Sequence, residues 1–150
     1  MIKRICAART GQRLAVLGAS GVLAAASIIA LPGTATAAAS SYNGVCGSGY
    51  REIDHLDIKN SLGDTEAVIY LTYSTATGKN CAITQNVGIY SQADLMVYIT
   101  RDDAGGETVR DVGTYQKYAG PVYISARGVC ITWGGYRNYN DRYQPHSHCG

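Results

Sequence analysis

The sequence has no phenylalanine and a single tryptophan, so twelve tyrosines supply almost all of its aromatic side chains. No window combines apolar residues at helical spacing with helix caps, which argues against a helical bundle. No run of lysine or arginine occurs, and no serine lies in the glycine-flanked elbow of the α/β-hydrolases. These absences leave nucleic-acid binding without a charge basis and catalysis without a recognisable motif.

Residues 1–37 have the order of a secretory signal peptide. Basic residues, Lys3, Arg4, Arg9 and Arg13, precede an apolar stretch over 14–31. A small-residue A-x-A pattern follows and predicts cleavage after Ala37 or Ala39. The alternative, an uncleaved membrane anchor, is disfavoured by the break at Pro32-Gly33. We therefore expect one secreted β-domain over 38–150, with no membrane span after cleavage.

The charge balance changes once the predicted leader is set aside. Four of the 13 basic residues lie in it, so residues 38–150 carry nine basic and 11 acidic side chains and a net charge of −2. Such a mildly acidic domain gives no reason to expect nucleic acid or an anionic membrane as a partner.

Four cysteines remain after residue 37, and an even number in a small exported chain predicts two disulfides. Of three possible connectivities we favour Cys46–Cys81 with Cys130–Cys149, because an antiparallel meander brings the starts of its first and third strands together. The alternative, a zinc site, is disfavoured because no cysteine pair has chelating spacing. His146 and His148 precede Cys149, but a polar, solvated tail explains them better. We predict no metal and no cofactor.

Short runs of β-branched and aromatic residues separated by turn residues predict strands. The clearest run is 67–73, and others lie near 50–58, 81–87, 95–101 and 107–115. The segment 136–150 is interpreted as a polar, tyrosine-rich tail. Six to seven strands at this spacing predict an all-β fold, a small antiparallel β-sandwich or barrel with two disulfides.

The stretch 120–135 predicts a β-hairpin that turns at Arg127-Gly128. A two-residue loop would set Ala126, Ile124 and Val122 opposite Val129, Ile131 and Trp133, respectively. All these apolar pairs would then share one face of the sheet.

The aromatic residues near the end of the chain are the candidate binding residues: Trp133, Tyr136, Tyr139 and Tyr143. Tyrosine combines an apolar ring with a hydrogen-bonding tip, so these rings could stack on sugars or pack against another surface. For Trp133 a position in the core is the stronger alternative. For the three tyrosines, which alternate with asparagine and arginine, the two interpretations are evenly balanced.

Several stretches of the sequence carry a family resemblance: 42–50 (YNGVCGSGY), 70–73 (YLTY), 77–81 (TGKNC), 118–123 (YAGPVY), 130–135 (CITWGG) and the terminal Cys149-Gly150. Together they resemble the spore-associated protein A family of small exported actinobacterial proteins. The resemblance implies a secreted protein located on spores or aerial hyphae, and it implies no catalytic residues.

We therefore expect a non-enzymatic protein at the surface of spores or aerial hyphae, held there by weak contacts with protein or polysaccharide. The alternative is a soluble binding module, either a carbohydrate binder or an inhibitor of a secreted protease that acts through the loop 74–80. A hydrolase is the third class, and it would need a positioned acid–base pair.

Overall fold

The computed structural model describes residues 41–87 and 91–150, which contain eight β-strands. They are β1 (Arg51–Lys59), β2 (Thr65–Ser74), β3 (Lys79–Asn86), β4 (Ala93–Arg101), β5 (Thr108–Tyr115), β6 (Tyr118–Ser125), β7 (Ile131–Arg137) and β8 (Asn140–Ser147). The predicted signal peptide and both predicted cleavage sites lie outside the described residues. Within the described part of the chain, no helix has the length and apolar character needed to cross a bilayer.

The strands form two four-stranded antiparallel sheets. The first sheet has the order β1-β2-β3-β6, and the second has the order β5-β4-β7-β8. One buried apolar cluster draws residues from both sheets, which makes the fold a β-sandwich. The predicted all-β sandwich is confirmed, with one strand more than the six to seven expected. The added strand is β8, which lies in the segment interpreted as a polar tail.

Strict alternation in β4 shows how the sequence builds the core. Leu95, Val97 and Ile99 are fully buried, while the residues between them are only partly covered. Because successive side chains of a strand point to opposite faces, one face of β4 enters the core and the other faces outward. Trp133 of β7 is the largest fully buried side chain.

The predicted hairpin at 120–135 is wrong in its pairing. The turn itself exists, since the amide of Val129 donates to the carbonyl of Ala126 at 3.1 Å. However, β6 pairs with β3 of the first sheet, while β7 pairs with β4 of the second. Val122 and Trp133 therefore belong to the same core but reach it from different sheets. Alternation correctly indicated one apolar face on each strand, but it does not specify the neighbouring strand.

A strap formed by residues 41–50 covers the outer face of the first sheet. Its partly buried side chains pack on a second cluster of buried residues that includes Val68, Tyr70 and Ile83. The disulfide Cys46–Cys81 fixes the strap to β3, and Tyr123 of β6 donates its hydroxyl hydrogen to the carbonyl of Cys46 at 3.1 Å. The second disulfide joins Cys130 to Cys149. Both bonds have the connectivity that we favoured from the sequence.

Candidate functional site

The outer face of the second sheet carries tyrosine and other apolar side chains on adjacent strands. In β4, Met96 and Tyr98 alternate with the buried core residues and so point outward. Strand register brings the outward positions of β5, β7 and β8 beside them. We name this set the tyrosine face: Met96, Tyr98, Val112, Tyr136, Tyr139 and Tyr143. In the described residues no strap covers it, in contrast to the outer face of the first sheet.

A glycine lies at the centre of the tyrosine face. Gly134 pairs with Tyr98 on one side and with Tyr143 on the other. A Cβ on Gly134 would lie 2.6 Å from the Cβ of Tyr143, so any larger residue would displace β8. An aromatic residue next to a glycine on the neighbouring strand also shields exposed backbone. The glycine of β7 therefore allows Tyr98 and Tyr143 to approach each other from the two neighbouring strands.

Tyr139 is the most exposed member of the face, with 81% of its surface accessible. It follows Asn138 in the β7–β8 turn, and φ is +46° for Asn138 and +66° for Tyr139, as a primed hairpin turn requires. Asparagine tolerates this conformation, but a bulky residue there costs about 1 kcal/mol. The Tyr139 ring stacks on that of Tyr136, with centroids 6.0 Å apart and planes inclined by 17°.

The phenol of Tyr98 is held in its neutral form. Partial burial raises the pKa of Tyr98, and the neighbouring Tyr143 and Asp141 raise it further. A neutral phenol keeps an O–H donor beside an apolar ring. The face can therefore combine ring contacts with hydrogen bonds to a partner.

Trp133 does not belong to this surface. It is 0% exposed, and its indole N–H donates to the hydroxyl of Ser147 at 3.2 Å. The expectation that its ring contacts a ligand is wrong, because alternation in β7 turns position 133 toward the core. The alternative interpretation, that of a core residue, describes it.

The structure brings together the three predicted tyrosines, Tyr136, Tyr139 and Tyr143, on one face. It adds Met96, Tyr98 and Val112, which sequence reasoning missed as binding candidates. The alternation of 95–99 could have indicated that Tyr98 points outward, since the aliphatic residues on either side of it, Val97 and Ile99, are buried in the core. Val112 carried no such signal, because the alternation of β5 is poor.

A second concave feature, which we name the end cleft, opens where β2 ends and β3 begins, and has a volume of about 620 Å³. Its lining residues come from distant parts of the chain: Ile53, Tyr73, Thr75, Asn80, Ala126, Arg127, Gly128, His148, Cys149 and Gly150. The Cys130–Cys149 disulfide holds the last part of the chain beside the turn at Arg127-Gly128.

Two of the three strongly polar side chains of the end cleft have protein partners. Nε2 of His148 lies 3.2 Å from Oδ2 of Asp54, and the guanidinium of Arg127 donates to the carbonyl of Thr75 at 2.8 Å. Asn80 is different, because it is 4% exposed and its side-chain amide forms no hydrogen bond within the described residues.

His146 and His148 face different carboxylates. Nδ1 of His146 lies 3.3 Å from Oδ2 of Asp102, while His148 faces Asp54. Ligand atoms of His146, Cys130 and Cys149 do lie within 4.8 Å of one another. Both cysteines are consumed by their disulfide, however, and a metal site needs thiolates.

The loop proposed for protease inhibition is a tight turn between β2 and β3. Ser74 pairs with Lys79, and the amide of Gly78 donates to the carbonyl of Ser74 at 2.8 Å. The side chain of Arg127 lies over Gly78, where it would meet any added Cβ. The turn is therefore tight, and the side chain of Arg127 packs against it.

Fold and site together define a small β-sandwich with two disulfides, one sheet face under a strap and the other open and aromatic. No family model matches the chain, and no solved structure matches it. The chain is 41% identical over 139 residues to the curated "Spore-associated protein A" of Streptomyces coelicolor, a match that covers 91% of this chain and 86% of that protein. The chain belongs to the spore-associated protein A family, which confirms the resemblance seen in its sequence.

Proposed function

We propose that this protein is exported, associates with the spore surface and is held there by the tyrosine face without performing catalysis. The name of the Streptomyces coelicolor relative supports the location. The open aromatic face supports the mode of attachment, because exposed apolar patches on small domains mark interaction sites.

Tyr139 is the observation that carries the proposal. Its ring is 81% exposed and its backbone is in a conformation that favours glycine. Neither burial nor local geometry rewards a tyrosine at this position. Strain retained at an exposed aromatic residue is typical of a binding residue.

The composition of the face favours a protein of the spore surface as the partner. Tyrosine, methionine and arginine are the residues enriched at protein–protein interfaces, whereas lysine and glutamate are depleted. Met96 lies within the face, and Arg110 pairs with Tyr98 in register at its edge. A polysaccharide of the spore surface is the alternative partner, and the experiment below distinguishes it from a protein.

The test is a pelleting assay with purified, oxidised protein and spores from a strain that lacks it. Tyr139→Gly and Tyr143→Ala should each reduce the bound fraction several-fold, because each removes an exposed ring. Leu62→Ala is the matched control, since Leu62 is 85% exposed in a different turn. Protease treatment of the spores beforehand should abolish binding.

Two results would contradict the proposal. Equal binding by Tyr139→Gly, Tyr143→Ala and the Leu62→Ala control would remove the tyrosine face from the mechanism. Undiminished binding to protease-treated spores, with loss after treatment by wall-degrading glycosidases, would replace the protein partner by a polysaccharide. A hydrolase would instead show turnover, which screening with protein and glycan substrates would detect.

A further inference from the structure

The end cleft is lined by a polar side chain, Asn80, that is only 4% exposed and has no hydrogen-bond partner among the described residues. Asn80, Ala82 and Thr84 share the inward side of β3, and Ala82 lies in the core. Thr84 donates its hydroxyl hydrogen to the carbonyl of Met96, whereas the amide of Asn80 has no partner among the described residues. The Asn80 amide is not among the fully enclosed atoms without a partner, so it reaches the cleft, where a ligand can bond to it.

Strand pairing holds the position of Asn80. It pairs with Tyr73 of β2 and with Ile124 of β6, so its backbone is fixed on both sides. Its side-chain amide offers one acceptor and two donors toward the cleft. A ligand that carries an amide group can bond to both ends of such a side chain at once.

The remaining walls of the end cleft are mostly apolar. Ile53 is 42% exposed there, which is unusual for an isoleucine in a strand, and Ala126 and the ring of Tyr73 complete the apolar lining. An aromatic ring beside aliphatic groups suits the apolar face of a pyranose ring. A volume of about 620 Å³ is within the range of small-molecule sites.

The charged side chains at the cleft can also form hydrogen bonds. His148 lies beside the carboxylate of Asp54, whereas Arg127 donates to the carbonyl of Thr75 and keeps its positive charge. Sugar hydroxyls can still accept from the remaining guanidinium N–H groups of Arg127.

We propose that the end cleft binds one or two units of an N-acetylated sugar. The acetamido group bonds to the amide of Asn80, and the pyranose ring packs on Tyr73 and Ile53. This site is separate from the tyrosine face, and it does not depend on the function proposed for that face.

The test is a titration of the oxidised, ¹⁵N-labelled protein with N,N′-diacetylchitobiose, followed by NMR. We expect the side-chain amide signals of Asn80 to shift with saturation. Cellobiose, which has the same ring geometry without acetamido groups, should bind about tenfold more weakly, because the amide of Asn80 would stay unpaired.

Asn80→Leu supplies the decisive variant. It has a similar shape but no hydrogen-bonding group, so binding of diacetylchitobiose should fall about tenfold. Since the amide is unpaired in the free protein, the thermal midpoint of this variant should not fall. Leu62→Ala, at an exposed residue outside both the cleft and the tyrosine face, is the matched control and should bind the disaccharide as the unmodified protein does.

Four outcomes would overturn the proposal. One is equal affinity for the two disaccharides. Another is shifts confined to the tyrosine face and lost in Tyr139→Gly. The third is shifts induced by N-acetylalanine amide but by neither disaccharide, which would make the cleft a peptide site. A large fall in the thermal midpoint of Asn80→Leu would show that the amide has a structural partner.

Discussion

Tyr139 explains at the residue scale why one strand escaped prediction. A primed hairpin turn is recognised in a sequence by Asn-Gly or Asp-Gly. Here the turn has Asn138 followed by a tyrosine, so the glycine that would have revealed it is absent. Without the turn, 140–147 looked like a polar tail. The residue that hides the hairpin from sequence reasoning is also the strongest candidate for binding.

Replacing Tyr139 with glycine should stabilise the fold. The change gives the turn its preferred Asn-Gly sequence, and we expect the free energy of unfolding to rise by about 1 kcal/mol. Tyr143→Ala, which removes an exposed tyrosine from an extended strand, should lower it by about 0.5 kcal/mol. Urea denaturation would measure both. A fall for Tyr139→Gly would show that the stacking on Tyr136 outweighs the strain.

Tyr115 links stability to alkaline pH. Its hydroxyl donates to Oδ1 of Asp111 at 2.7 Å, and this hydrogen bond is the main reason that its pKa is raised above 10.0, followed by partial burial and the charge of Asp111. The folded state thus favours the neutral phenol. The resulting stabilisation is fully present below pH 10 and is lost as pH rises through the higher pKa of the folded state.

Tyr115→Phe should accordingly flatten the loss of stability above pH 10. Thermal midpoints between pH 8 and pH 11.5 would measure the slope. Tyr118→Phe is the matched control, because the hydroxyl of Tyr118 forms no hydrogen bond within the described residues. Identical slopes for the two variants would contradict the proposed role of Asp111. Some alkaline destabilisation should remain in both, since burial is the main cause of the raised pKa of Tyr42, Tyr98 and Tyr123.

Strands could be located from the sequence, but their neighbours could not. The alternation of 95–101 and the composition of 67–73 identify β4 and β2 because period-two burial is a local property. The partners of β6 and β7 depend instead on which sheet each strand joins after the turn at Arg127-Gly128. The apolar faces of β6 and β7 would be buried equally well if the strands paired in one sheet or packed against each other from two sheets. The apolar pattern therefore does not determine which strands pair.

Gly135 tests the packing of the two sheets at the element scale. A Cβ there would overlap the carbonyl oxygen of Met96 and the hydroxyl of Thr84, whose hydrogen bond at 2.7 Å joins the first sheet to the second. We expect Gly135→Ala to lower the free energy of unfolding by about 3 kcal/mol, because neither neighbour can move freely. Gly105→Ala is the control, since a Cβ there meets nothing within 4 Å. Similar midpoints in urea for the two variants would contradict this account.

For the whole molecule, cysteine spacing gave more information than any apolar pattern. Cys46 precedes the first strand and Cys81 lies near the start of the third. An antiparallel meander brings those two positions together. The end cleft, by contrast, is assembled from parts of the chain as far apart as Ile53 and His148. No local pattern marks Asn80 as unpaired, because that property depends on every neighbouring element. Concave sites of this kind become visible only when the fold is known.

The asymmetry between the two outer faces depends on one disulfide. The Cys46–Cys81 bond closes a loop of 35 residues, and on the chain-entropy model its loss should lower the free energy of unfolding by about 4 kcal/mol. Replacing both cysteines with serine should also release the strap and expose Val68, Tyr70 and Ile83, which would then bind a hydrophobic dye.

The second disulfide provides the matched control. Replacing Cys130 and Cys149 with serine opens a loop of only 19 residues, should lower the free energy of unfolding by about 3 kcal/mol, and leaves the strap in place. Dye binding and limited proteolysis within 41–50, measured under conditions where both variants remain folded, should therefore increase only in the Cys46/Cys81 variant. No increase in the Cys46/Cys81 variant would mean that packing by Tyr42 and Tyr50, rather than the covalent bond, holds the strap on the first sheet.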